Sequence, residues 1–87
     1  MTTVIAVHDV KDVAHWQSSP KRAEFFGSHG MNVRTFVSPD GGRRVGLIIE
    51  NVPSLEALTE ALQGADAAEA MKHDGVIPDS VELFVAS

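Results

Sequence analysis

A chain of 87 residues holds one domain and has no room for two independent cores. It contains no cysteine, which excludes disulfide staples, thiolate metal sites and a cysteine nucleophile. The net charge of −5, with only seven Lys and Arg, argues against a nucleic-acid partner. No apolar run approaches the ~20 residues of a membrane helix, and Met1-Thr2-Thr3 does not open a charged-then-apolar signal segment. A cytoplasmic protein without a membrane partner is therefore expected.

The first strand spans Thr2 to Val10 and ends at His8-Asp9, with Thr3, Ile5 and Val7 on one side and Val4, Ala6 and His8 on the other. Asp9 or Asp12 can cap the helix that follows. Val13, Trp16, Ala23 and Phe26 make an apolar stripe at helical spacing, interrupted by Ser18-Ser19-Pro20. Proline fits best in a first turn after a serine cap, so two abutting helices are expected near 12–18 and 20–28, ended by Gly27 and Gly30. Met31 to Ser38 reads as a second strand, with Arg34 and Phe36 on one face. Asp40-Gly41-Gly42 turns it back into Val45 to Val52, the β-branched run at the centre of the fold. There Val45, Leu47 and Ile49 form one apolar row, and Gly46, Ile48 and Glu50 the other. A helix from Ser54 to Gln63 presents Leu55, Leu58 and Leu62. A further helix, Ala65 to about Lys72, has a capping-box-like start in Asp66 and Glu69 and a stop at Gly75. Ser80 to Ala86 is the last strand, with Val81, Leu83 and Val85 opposite Glu82 and Phe84.

This order, β-α-β-β-α-β, is the α+β ferredoxin-like plan of an antiparallel four-stranded sheet with its helices on one face. Right-handed crossovers put strands one and three in the centre. Ile5 and Val7, the bulkier apolar pair, are assigned to the helix side. The uncovered face is then expected to carry Ala6, His8, Arg34, Phe36, Gly46, Ile48, Glu50, Glu82 and Phe84. Four strands expose roughly 300 Å² there, an area that a second copy of the chain would bury economically. The expected partner is itself, as a homodimer.

Two segments carry a resemblance. Val10-Lys11-Asp12-Val13-Ala14-His15-Trp16 opens helix one, and Ala65-Asp66-Ala67-Ala68-Glu69-Ala70-Met71-Lys72-His73-Asp74-Gly75-Val76 precedes the last strand. With them the whole chain resembles the dimeric α/β-barrel superfamily, which includes antibiotic-biosynthesis monooxygenases, stress-responsive barrel proteins and polyketide cyclases. The resemblance implies a barrel formed by two copies. Cyclases of this superfamily use a histidine on strand one, another after the last helix, and a tyrosine; His8 and His73 match the first two positions, and the chain has no tyrosine. Cofactor-free monooxygenases of the superfamily rely on a strand-one asparagine and a tryptophan. Here strand one offers His8, and Trp16 lies on helix one.

His8 is the first candidate catalytic residue, because imidazole gives and takes protons near neutrality. His73 is a candidate partner, or else satisfies the free carbonyls of a helix end. Arg34 could hold an enolate or carboxylate oxygen, or pair with Glu50 on the adjacent strand. Glu50 and Glu82 could serve as bases or as interface charges. Ala6, Phe36, Gly46, Ile48, Glu50, Glu82 and Phe84 are the expected ligand-binding wall around His8. His15 and His29 read as solvent-facing, and four histidines without short paired spacings give no metal signature. No glycine-rich phosphate loop follows a strand, and no cofactor is expected. The function expected is a cofactor-independent isomerase, cyclase or oxygenase acting on a small enolisable or aromatic molecule. The alternative is a non-catalytic ligand-binding module.

Overall fold

A computed structural model describes residues 1–87. The elements are β1 (Thr2–Asp9), α1 (Val13–Ser18), α2 (Lys21–Ser28), β2 (Asn32–Val37), β3 (Arg44–Val52), α3 (Leu55–Leu62), α4 (Ala65–Asp74) and β4 (Glu82–Val85), with a 3₁₀ turn at Pro78–Ser80. The sheet order is β2-β3-β1-β4, every neighbour antiparallel. This is the ferredoxin-like architecture expected from the alternation of elements. All the helices stack on one face of the sheet, over a core that includes Val4, Val45, Leu47, Ile49, Trp16, Phe26 and Leu58.

Local chemistry sets the element ends. The Asp12 side chain accepts the His15 N–H at 3.2 Å and caps α1. Ser19 Oγ accepts the Lys21 N–H beside Pro20, which forces the break between α1 and α2. Ser54 caps α3 by accepting the Ala57 N–H. Gly75 closes α4 at φ +73°, where a Cβ is costly, and its carbonyl accepts the Lys11 N–H at 2.9 Å. Two local expectations fail. No capping box forms at α4: Gly64 is its cap residue and Asp66 lies in the first turn. Gly27 lies inside α2, and Gly30, at φ +74°, is the residue that turns the chain out.

The break at Pro20 also resets the phase of α2. Ala23 points to solvent, while Arg22, Phe25 and Phe26 turn inward, so the stripe read through Ala23 is corrected. In β3 a bulge inserts one extra residue between the Val4–Ile49 and Thr2–Val52 pairs. Asn51 takes a left-handed conformation there (φ 60°), one that asparagine tolerates better than most residues. The bulge returns Val52 to the inner face, where it is fully buried.

The largest correction concerns β1. Directly opposite residues of an antiparallel pair share a face, and Val4, Ala6 and His8 lie opposite Ile49, Leu47 and Val45. Ala6 and His8 are therefore buried under the helices, and Ile5 is 44% exposed on the open side. Bulk did not decide the face. The helices bring Trp16 and Phe26 down onto the sheet centre, and a methyl group and a flat ring beneath them leave room that Ile5 and Val7 would fill.

Candidate active site

The space above Ala6 and His8 is a cavity of about 90 Å³ between the sheet and the helices. Thirteen of its 16 lining residues are hydrophobic, and the three polar ones are His8, Arg22 and Asp74. An apolar hollow with a few convergent polar groups is the usual form of a small-molecule site.

β1 supplies His8, which is 5% exposed. Its Nδ1 lies 3.3 Å from the Asp9 carbonyl, an acceptor, so Nδ1 carries the proton and Nε2 keeps the lone pair. Nε2 has no protein partner. No fully buried side-chain nitrogen or oxygen in the chain lacks one, so Nε2 abuts free volume. The ring meets Trp16 edge-on, with centroids 5.8 Å apart. Burial lowers the pKa of His8 from its ordinary value, and the Arg22 and Arg44 charges act in the same direction against the Asp9 carbonyl and carboxylate. The imidazole is thus neutral at neutral pH, with the Nε2 lone pair free to accept a proton.

Arg22 comes from the inward face of α2 and Asp74 from the last residue of α4. Arg22 Nη1 lies 3.7 Å from Asp74 Oδ2, with the side chains 10% and 5% exposed. The same Nη1 donates to the Trp16 carbonyl at 3.1 Å, and the guanidinium sits 4.1 Å above the Trp16 ring. Burial lowers the pKa of Arg22, opposed by the Asp74 charge. Asp74 Oδ1 accepts from His73 Nδ1 at 2.9 Å.

The structure separates the expected site residues. Ala6 and His8 line the cavity. Phe36, Gly46, Ile48, Glu50, Glu82 and Phe84 do not: they share the opposite, open face of the sheet with Arg34. Arg34 stacks over the Phe36 ring at 5.6 Å and forms no ion pair with Glu50. Glu82 binds Arg44 Nη2 at 2.5 Å, and Arg44 also reaches Asp9 at 3.3 Å. His73 is exposed on the outside and joins the cavity wall only through Asp74. His15 is exposed but engaged, its Nε2 2.7 Å from the His73 carbonyl. Sequence reasoning missed Arg22 and Asp74. The signal for Arg22 was its place one position before the expected stripe, visible only once Pro20 is allowed to shift the phase. Asp74 had no local signal beyond its neighbours His73 and Gly75.

No family model matches the chain, and no curated protein matches it. Solved structures do. A protein of Bordetella bronchiseptica named for the antibiotic biosynthesis monooxygenases superposes with a TM-score of 0.73 at 17% identity, over 99% of this chain and 94% of that one. The crystal structure of an antibiotic biosynthesis monooxygenase gives 0.63 at 16% identity, over 100% and 97%. An EthD-family protein of Bacillus halodurans gives 0.55 at 14% identity, over 100% and 98%. Over its whole length the chain thus has the ferredoxin-like fold of the antibiotic biosynthesis monooxygenase-like proteins.

Proposed function

We propose that the protein is a cofactor-independent enzyme, an isomerase, cyclase or oxygenase, that moves a proton on a small enolisable or aromatic molecule held between sheet and helices. The observation that carries this reading is the convergence of a neutral base, His8, and a cation, Arg22, in one apolar cavity. In the simplest cycle, His8 Nε2 takes a proton from the carbon beside a substrate carbonyl. The electron pair moves onto the oxygen, and the enolate so formed pairs with Arg22. The imidazolium then returns the proton to carbon at the same or another position, which restores neutral His8. Asp74 holds Arg22 in place, and the greasy lining strengthens both interactions by excluding water. His8 keeps the catalytic role expected of it, on the other face of the sheet, and Arg22 takes the role expected of Arg34.

The same reading includes a homodimer through the open face. Ile5, Phe36 and Phe84 are 44%, 46% and 55% exposed there, flanked by Arg34, Glu50 and the Arg44–Glu82 pair. A second copy related by a two-fold axis would cover this surface with its own.

Exchange of carbon-bound hydrogen in heavy water tests the chemistry without knowledge of the full reaction. Small aliphatic ketones, the size that a cavity of about 90 Å³ admits, that change the emission of the single tryptophan, Trp16, should exchange their α-protons faster with the protein. His8→Ala should bind them within a few-fold and lose about 10²–10⁴ in exchange rate. Equal rates for the two proteins would refute the catalytic assignment and leave a ligand-binding module.

A further inference from the structure

We infer that the outer end of α4 forms, with α1, a binding site for a divalent transition-metal ion of the zinc class, held by His15, His73 and Asp74. His15 and His73 are 58 positions apart in the chain, and only the packing of α1 against the end of α4 unites them. One ligand atom from each lies within 4.8 Å of the other two. His73 Nδ1 and Asp74 Oδ1 are 2.9 Å apart. An ion about 2.1 Å from each would see them at an angle of about 90°, and a parting of the two atoms to about 3.4 Å, once the proton between them is gone, gives the tetrahedral angle that zinc takes. Such an ion takes the place of the proton that His73 now shares with the carboxylate.

The surroundings are those of a supported site. The Asp74 side chain is almost fully buried, and its other oxygen faces Arg22, which fixes the direction in which Oδ1 points. The His15 ring is held beside that of His73, centroids 5.2 Å apart, by the bond from Nε2 to the His73 carbonyl. Both imidazoles open to solvent, so the ion has an entry path and water can complete its shell. Two imidazoles and one carboxylate suit zinc, cobalt or nickel; calcium and magnesium prefer oxygen alone. An ion here staples α1 to α4 and draws on the Asp74 charge that Arg22 otherwise receives at the cavity wall. The site does not depend on what the cavity binds.

Titration of the chelator-stripped protein with Zn²⁺ alone, followed by calorimetry, should give one ion per chain, a rise in melting temperature and a change in Trp16 emission. His15→Ala and His73→Ala alter exposed side chains and should keep the far-ultraviolet dichroism of the parent. Each should weaken binding by roughly 10–100-fold or more. His29→Ala, on the far end of α2, should bind as the parent does. A parent that takes up no Zn²⁺, or a His15→Ala/His73→Ala protein that binds as tightly as the parent, would overturn the assignment.

Discussion

Asp74→Asn keeps the shape of the side chain and removes the charge that faces Arg22. At 3.7 Å, with an effective dielectric constant of about 20, the attraction lost is roughly 4 kcal/mol. Arg22 retains the Trp16 carbonyl and ring, and the amide oxygen of asparagine recovers part of the bond. The expected net cost is about 2–3 kcal/mol, at or below the range for breaking a buried pair. For a domain of this size that lowers Tm by roughly 10–20 °C. Arg22→Met removes the other partner and leaves the carboxylate with His73 alone, at a similar cost. The double variant buries neither charge, so it should be no less stable than either single variant, a coupling of about 2 kcal/mol or more. Urea unfolding of the four proteins in chelator measures the cycle. Single variants that cost under about 1 kcal/mol, or effects that simply add, would refute the claim that these charges face each other in a dry wall.

Other outcomes follow from named residues. The pKa of His8 is lowered in the fold, so the unfolded chain binds more protons below pH 6.5, and stability falls as pH drops from there through the folded value. Against His8→Gln, the parent should show this extra acid sensitivity in chemical denaturation, and parallel curves would contradict the burial. Gly75→Val places a branched side chain at φ +73°, with its Cβ 3.4 Å from that of Lys11, and should cost about 1–2 kcal/mol or more; an unchanged Tm would show that the conformation is otherwise. Leu58→Ala opens a hole under a fully buried residue and should cost about 2–5 kcal/mol by calorimetry. Phe84→Asp puts a charge on the open face, on the edge strand β4 beside Ile5, and should convert the proposed dimer to monomer in sedimentation, with its monomer stability little changed. A wild-type chain that sediments as a monomer at micromolar concentration would remove the dimer from the proposed function.

The element order and most element ends were written in local chemistry. Asp12, Pro20, Ser54 and Gly75 act through their own backbone or side chains within a turn, so their positions mark α1 to α4 without reference to anything distant. The same holds for the alternation of β2, β3 and β4, where one row is clearly the greasier. In β1 both rows are apolar enough to be buried, and alternation names two faces without saying which is which. Register with β3 decided that question, pairing His8 with Val45 and Ala6 with Leu47. That one decision moved His8 from the expected open face of the sheet into the cavity beneath the helices and left Phe36, Ile48 and Phe84 outside it. Arg22, Asp74, His15 and His73 were each visible as residues, but their meeting depends on the packing of α1 and α2 against α4. Such contacts join positions more than 50 residues apart, and no local spacing encodes them.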